Sequence, residues 1–244
     1  MKVALFCTWE DVPHLDASTK ASILASVPPW QRDSRTKGTP ELGAGAVYTV
    51  PESEFVVPPI QLQPHWPRCY ALDVGWKRNA VIFGAIDRDT NTLYLYDELY
   101  KAKTEPSVIA SAVRQRGEWI PGVVDPAARG RSQKDGVSLL SIYRDLGLDI
   151  RPAINSVEAG LMKVWERLSQ GNLKVFQTCT NFLAEYRLYR RDLKGNIVKS
   201  NDHLMDACRY LVMSGLDRAI VEPKGGESGR KWWDWQAPNH AWAG

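Results

Sequence analysis

Cysteine is scarce in this sequence, and its spacing excludes the sites that closely spaced cysteines usually build. The chain contains four cysteines, Cys7, Cys69, Cys179 and Cys208. No two of them show the two-residue separation that is typical of structural zinc sites. We therefore expect neither a zinc-binding scaffold nor a framework of disulfides.

Long apolar runs are also missing. No stretch approaches the roughly 18 apolar residues that a membrane-spanning helix requires, and residues 1–7 are too short for a signal peptide. We therefore expect an intracellular protein with no membrane partner.

The sequence lacks the phosphate-binding loop in which four residues separate a glycine from Gly-Lys-Ser or Gly-Lys-Thr. ATP hydrolysis by that route is excluded. The net charge is only +3, which permits binding to nucleic acid but does not require it. Any DNA-binding surface must therefore come from local clusters of basic residues.

Three consecutive strands form the part of the chain around which the rest is organised. Residues 70–76, 80–86 and 92–99 are rich in β-branched, aromatic and aliphatic side chains, and residues 87–91 have the composition of a turn. Further short strands alternate with helices downstream. We predict an α/β fold whose mixed central sheet combines a three-strand antiparallel meander with parallel strands and is flanked by helices.

The C-terminal part of the pattern predicts three more elements. Residues 172–176 suit an edge strand, residues 181–191 a helix, and residues 202–216 a longer helix.

Acidic residues occur at the ends of the predicted strands. Asp73 interrupts the first apolar strand shortly before Gly75, and Asp125 ends the fourth strand. Buried carboxylates are rare unless they are paired, hydrogen-bonded or bound to a metal. If the fourth strand lies parallel beside the first, both acids emerge at the same edge of the sheet.

The last predicted helix supplies Asp202, His203 and Asp206. Asp206 lies four residues after Asp202 and three after His203, so the three side chains share one side of the helix. Each acid also has a structural explanation, because Asp202 suits a helix N-cap and Asp73 with Gly75 suits a turn.

Converging acids repel one another unless divalent cations lie between them. Carboxylate oxygens select Mg²⁺ or Mn²⁺. Two such ions about 3.5–4 Å apart can activate a water and stabilise the leaving oxygen of a phosphodiester. The candidates for a catalytic two-metal site are Asp73, Asp125, Asp206, Asp202 and His203, of which His203 could be a ligand or a proton shuttle.

Three stretches resemble the C-terminal nuclease domain of the large terminase subunits of tailed phages, which are DNA-packaging motors. They are residues 71–76, residues 123–127 and residues 201–210, the last with the pattern Asp-His-x-x-Asp-Ala-x-Arg-Tyr. The resemblance extends over roughly residues 66–217. It implies an RNase H-like fold and a two-metal endonuclease that cleaves concatemeric viral double-stranded DNA during genome packaging.

The resemblance also implies roles for single residues. Asp73 and Asp125 would be metal ligands, and the third ligand stays open among Asp206, His203 and Asp202. Asp206 ranks first by its position on the helix. The implied cofactors are two Mg²⁺ or Mn²⁺ ions.

The same resemblance divides the chain into three segments. Residues 1–65 would be a linker and the end of an ATPase region, residues 66–221 the nuclease domain, and residues 222–244 a flexible, tryptophan-rich tail. Without a phosphate-binding loop, the chain would be an excised fragment or a naturally truncated product. The implied partners are double-stranded DNA, the portal protein and the small terminase subunit, in the cytoplasm of the infected host cell.

Basic residues that follow the two strand-end acids are candidates for phosphate contacts. They are Lys77, Arg78, Arg129, Arg131 and Lys134. A second basic cluster comprises Arg187, Arg190, Arg191 and Lys194. Phosphate contacts of this kind would be independent of DNA sequence and sensitive to salt.

Two other functions are compatible with the pattern. The same fold could serve a resolvase- or transposase-like nuclease, although the sequence shows no separate DNA-reading module. A non-catalytic packaging scaffold would instead use the acids as structural caps.

Overall fold

The computed structural model describes residues 15–26, 45–75, 77–130 and 136–223, together with Trp9 and Thr36. The helices are α1 (Ala17–Ser26), α2 (Glu52–Phe55), α3 (Pro106–Arg114), α4 (Leu139–Asp145), α5 (Val157–Ser169), α6 (Thr180–Leu188) and α7 (His203–Tyr210). The strands are β1 (Gly45–Ala46), β2 (Val56–Val57), β3 (Arg68–Asp73), β4 (Asn79–Asp87), β5 (Thr92–Lys101), β6 (Gly122–Val124), β7 (Ile150–Pro152), β8 (Leu173–Phe176) and β9 (Arg190–Arg191). In these ranges no helix combines the length and the apolar character needed to cross a membrane.

Seven strands form the central sheet, in the order β2-β8-β5-β4-β3-β6-β7. β4 runs antiparallel to both of its neighbours, β3 and β5. The other pairs, β3 with β6, β6 with β7, β5 with β8 and β8 with β2, are parallel. The predicted mixed sheet is therefore confirmed, and its fourth predicted strand, β6, lies parallel beside β3.

The sheet buries apolar side chains on both faces. Because successive strand residues point to opposite faces, Ala71 contributes to one core, whereas Tyr70 and Leu72 contribute to the other. The first core includes side chains from α5, α6 and α7, and the second includes side chains from α3 and α4. Strands that are covered on both faces consist of near-continuous apolar runs, which is why the sequence predicted them well.

The segment before β3 belongs to the same packed unit. Phe55 is completely buried in the first core, and β2 pairs with β8 in the central sheet. Part of the segment predicted as a linker is thus packed against the central sheet, and the division between residues 65 and 66 stays a prediction. The roles assigned to residues 1–65 and 222–244 stay predictions, and residues 224–244 lie outside the described part of the chain.

Three predicted elements differ from the structure. The predicted edge strand at residues 172–176 is β8, which β2 covers on its outer side. The predicted helix at 181–191 ends at Leu188, and the following β9 pairs antiparallel with β1. The helix predicted at 202–216 is α-helical only to Tyr210 and then continues as a π-helical turn, Leu211–Gly215. The two strand differences come from pairing with distant segments, which periodicity along the sequence does not report.

Gly122 of β6 lies against the ring of Tyr70, which leaves no room for a side chain. A Cβ at residue 122 would lie 2.2 Å from the Tyr70 ring, and that ring is buried, with Tyr70 only 1% exposed. We expect Gly122→Ala to lower the free energy of unfolding by about 1–3 kcal/mol, the usual cost of overpacking. Urea denaturation measures this change, with Gly45→Ala as control because a Cβ there meets nothing within 4 Å. Equal stability of the two variants would contradict the packing.

Candidate functional site

The register of two parallel strands brings Asp73 and Asp125 side by side. Leu72 of β3 pairs with Val124 of β6, and each acid is the next residue along its strand. The Asp125 backbone N–H donates to the Leu72 carbonyl at 3.0 Å, which continues the ladder to the acids themselves. The juxtaposition predicted from the sequence is therefore confirmed for this pair.

α7 lies on the face of the sheet toward which Asp73 points. Ala71, two residues earlier on the same strand, belongs to the core that includes Leu204 and Ala207 of α7, and side chains two apart in a strand share a face. His203, the first residue of α7, has its Nδ1 2.9 Å from Oδ2 of Asp73. The start of α7 thus lies directly beside the strand-end acids.

The pKa of Asp73 reflects its burial and the charges of the acids around it. Asp73 is only 8% exposed, and burial raises the pKa of its carboxyl to about 6. The hydrogen bond with His203 lowers this pKa, whereas the charges of Asp206 and Asp125 raise it. The charges of Asp125 and Asp206, which come from two other parts of the chain, therefore act on the Asp73 carboxyl.

His203 responds to the same cluster. Its hydrogen bond with Asp73 raises the pKa of the imidazole, and burial lowers it. The charges of Asp73, Glu185 and Asp202 raise the pKa further, so the net change is an increase. Both partners of the His203–Asp73 pair thus hold a proton more tightly than they would in water, which suits His203 to proton transfer near neutral pH.

Asp206 is buried and has a cationic partner at each oxygen. Arg209 donates from Nη2 to Oδ1 at 2.9 Å, and Lys199 donates from Nζ to Oδ2 at 2.8 Å. The second Arg209 nitrogen, Nη1, donates to Oδ1 of Asn155 at 2.8 Å. Arg209 is 1% exposed, so its guanidinium is a fixed positive charge within the protein.

Gly160 of α5 makes room for this arginine. A Cβ at residue 160 would lie 2.3 Å from Cγ of Arg209, which is far inside van der Waals contact. The absence of a side chain on Gly160 therefore permits the path by which Arg209 reaches Asp206.

Asp202 occupies the N-cap position of α7, but its side chain makes no capping hydrogen bond. Its Oδ2 is buried and receives no hydrogen bond from the described residues. Lys199 Nζ lies 3.0 Å from this oxygen and forms an ion pair with it. Asp202 therefore stands at the position of a helix cap, as the sequence suggested, but its side chain does not cap the helix.

Glu185 of α6 caps α7 instead. Its Oε2 accepts from the Leu204 backbone N–H at 2.6 Å, and its Oε1 accepts from the Tyr100 hydroxyl. Glu185 is 3% exposed, and burial raises the pKa of its carboxyl, against the lowering effect of these hydrogen bonds. Glu185 could not be found from the sequence, because its partners Tyr100 and Leu204 lie 85 and 19 residues away. The acidic partners of Lys199 and Arg209 lie only three to seven residues away, so the sequence offered a local signal for both that was not used.

The donor atoms of this cluster fit divalent cations of the Mg²⁺ and Mn²⁺ type. They are carboxylate oxygens with one imidazole, which are hard or borderline ligands, and one of the oxygens, Oδ2 of Asp202, is buried without a hydrogen bond. Within the described ranges, no three His, Cys, Asp or Glu side chains form a ready-made metal-ligand cluster. Arg209 and Lys199 neutralise part of the negative charge here.

The basic residues predicted to contact DNA have different environments. Lys77 and Arg129 are exposed, and Arg129 ends the 3₁₀ helix Pro126–Arg129 that follows Asp125. The Arg78 guanidinium lies over the Tyr100 ring, 4.6 Å from its centroid. Arg131 and Lys134 lie outside the described residues.

The second basic cluster is partly used for structure. Arg187 forms a two-pronged pair with Glu52, and Arg191 forms another with Glu158. Both carboxylates come from segments distant in sequence. These two arginines therefore tie elements together, which weakens the interpretation of the cluster as a DNA-binding surface.

Comparisons with known proteins place the chain among phage terminases. Residues 70–214 match the family described as Terminase RNaseH-like domain. The large terminase subunit of Salmonella phage P22 is 32% identical over 226 residues, covering 88% of this chain and 45% of that protein. The chain thus spans about half the length of the curated relatives it matches.

Solved structures give the same answer for the fold. The nuclease domain of the P22 large terminase superimposes with a TM-score of 0.67 at 31% identity, covering 74% of this chain and 96% of that one. The large terminase nuclease domain of phage SPP1, solved with bound Mn, superimposes with a TM-score of 0.51 at 18% identity, covering 70% of this chain and 99% of that one. The large terminase nuclease of phage G20c, solved with bound magnesium, superimposes with a TM-score of 0.52 at 17% identity, covering 69% of this chain and 96% of that one. The predicted RNase H-like fold is confirmed.

The raised pKa of Asp73 predicts how stability depends on pH. Folding raises this pKa from 3.8 to about 6, so the folded state binds the proton more tightly, and metal-free protein loses stability as pH rises across that interval. We expect Asp73→Asn, measured in EDTA, to raise the free energy of unfolding by about 1–3 kcal/mol at pH 7, from the size of the shift. The gain should disappear near pH 4. Asp217→Asn, at an exposed position, is the control, and an Asp73→Asn variant less stable than the parent at pH 7 would refute the assignment.

The contact between Gly160 and Arg209 predicts a second effect on stability. Gly160→Ala displaces Arg209 and leaves Asp206 without its buried partner, so we expect a loss of about 3 kcal/mol or more, the range seen when buried ion pairs are broken. Gly215→Ala is a matched control because its Cβ would make ordinary contacts of 3.4 Å or longer. Thermal or urea unfolding compares the two. Similar stabilities would show that Arg209 does not depend on the glycine.

Proposed function

Because the chain belongs to the terminase RNase H-like domain family, we propose that it acts as the metal-dependent endonuclease part of a large terminase subunit. Its substrate would be concatemeric viral double-stranded DNA, which it would cleave during genome packaging. The observation that carries this proposal is the parallel pairing of β3 with β6, which places Asp73 and Asp125 side by side at one edge of the sheet. The charge of Asp206, from α7, acts on the Asp73 carboxyl there.

Asp73, Asp125 and Asp206 would hold two Mg²⁺ or Mn²⁺ ions, with Asp202 and His203 beside them. Asp206 is preferred over Asp202 as the third acid because its charge acts on the Asp73 carboxyl, whereas that of Asp202 acts on His203. The metal-bound SPP1 and G20c nucleases support the choice of ions. Bound divalent ions would supply Lewis-acid stabilisation of charge on the phosphate oxygens.

The side chains of this protein would do the remaining work. With Nδ1 held by Asp73, His203 would use Nε2 to take or deliver a proton during phosphodiester hydrolysis. Glu185 and Arg209 would keep α7 and Asp206 in place through their buried contacts. The acids would then be held without the freedom to spread apart.

DNA would lie across the carboxyl ends of β3 and β6. Lys77, Arg78 and Arg129 would contact phosphates there, together with Arg131 and Lys134. These contacts position a duplex without reading its sequence. Arg78 would contact a phosphate either while its guanidinium stays stacked on the Tyr100 ring or after it has left that ring.

The remaining roles belong to the whole large subunit. Since the chain covers 45% of its curated relative and contains no phosphate-binding loop, ATP-driven translocation would require residues beyond this sequence. The portal protein, the small terminase subunit and the host cytoplasm are the expected partners and location.

One observation favours a non-catalytic scaffold. Both oxygens of Asp206 are already engaged by Arg209 and Lys199, as a purely structural carboxylate would be. A scaffold should show no stabilisation by Mn²⁺, whereas a nuclease should gain stability because metal binds only the folded state.

The proposal predicts divalent-dependent nicking of supercoiled plasmid DNA. Asp73→Asn and Asp125→Asn should each lower the rate by more than about 100-fold, because even residues that only support metal ligands cost about 10- to 100-fold. Asp217→Asn is the charge-matched control. The rise in Tm on addition of Mn²⁺ should also be smaller in Asp73→Asn and Asp125→Asn than in the parent. Nicking at the parental rate by either variant would refute the assignment of the acids.

A further inference from the structure

Lys199 reaches from the surface into the buried acidic cluster. Its side chain is 60% exposed, whereas those of Asp202 and Asp206 are 8% and 12% exposed. The ammonium Nζ lies 3.0 Å from Oδ2 of Asp202 and 2.8 Å from Oδ2 of Asp206. A single tethered positive charge therefore lies between the carboxylate of the α7 N-cap, Asp202, and a carboxylate of its first turn, Asp206.

The cation is needed because the two carboxylates repel each other. Asp206 has Arg209 as a second partner, but Oδ2 of Asp202 is buried and receives no hydrogen bond from the described residues. A lysine ammonium is a compact, strongly hydrated point charge. It can neutralise such a pair in the way a small inorganic cation does, without the directional requirements of a guanidinium.

The two cations beside Asp206 differ in their freedom to leave. Arg209 is 1% exposed, bonded to Asn155 and packed against Gly160, so it is fixed. Lys199 has an exposed stem. Its backbone lies next to Val198, whose N–H donates to the Arg190 carbonyl, so the side chain could swing out while the segment stays in place.

We propose that Lys199 occupies the position of a divalent ion between Asp202 and Asp206 and that metal binding there requires its ammonium to swing out. The inference rests on the proposed function, since it requires that this cluster binds Mg²⁺ or Mn²⁺. Lys199 is then the residue that sets the metal affinity of the site. It keeps the acids neutralised until the divalent ion concentration is high enough to displace it.

Mn²⁺ binding to the whole chain, measured by isothermal titration calorimetry, tests the proposal without relying on cleavage. Lys199→Met removes the charge and retains the stem, so we expect Mn²⁺ to bind about tenfold more tightly. This is the change expected if the lysine leaves the site open only about a tenth of the time. Lys199→Arg keeps the charge and should bind no more tightly than the parent. Lys163→Met removes a charge from an exposed position of α5 and is the matched control.

Unfolding in EDTA gives an independent readout. Lys199→Met should have a lower Tm than the parent without metal, and a larger rise in Tm when Mn²⁺ is added. Unchanged or weaker Mn²⁺ binding by Lys199→Met would overturn the inference, because the lysine would then not compete with the ion. If neither the parent nor Lys199→Met bound Mn²⁺, the proposed function itself would fail.

Discussion

The parallel pairing of β3 with β6 is the constraint on which the site depends. It fixes Leu72 opposite Val124, and the next residue of each strand is an aspartate. The backbone positions of the two aspartates cannot separate without breaking the sheet. Mutual repulsion is therefore built into the backbone, and the surrounding side chains must compensate for it.

The compensation comes from groups of two kinds. Arg209 and Glu185 are buried and fixed, one holding Asp206 and the other capping α7 through Leu204. His203 and Lys199 are partly exposed and can exchange their partners. A rigid frame combined with exchangeable cations and protons suits a centre that must accept metal ions and a phosphate, and such sites usually lower the stability of the folded protein.

The sequence contained enough information for the sheet and for the strand-end acids, but not for what surrounds them. Asp73 and Asp125 were recognisable because a lone carboxylate stands out in or at the end of an apolar strand. Glu185 gave no such signal, since its partners Tyr100 and Leu204 lie 85 and 19 residues away. Likewise, Arg187 was expected at the DNA surface, but Glu52, 135 residues away, holds it. Ion pairs between distant segments follow from the fold and have no local pattern.

Anomalous diffraction from crystals soaked in Mn²⁺ is the most direct test of the central claim. We predict two manganese peaks between Asp73, Asp125 and the first turn of α7, with the Lys199 side chain moved away from Asp202 and Asp206. Crystals that show no anomalous peak among these carboxylates, with Lys199 still in place, would contradict it.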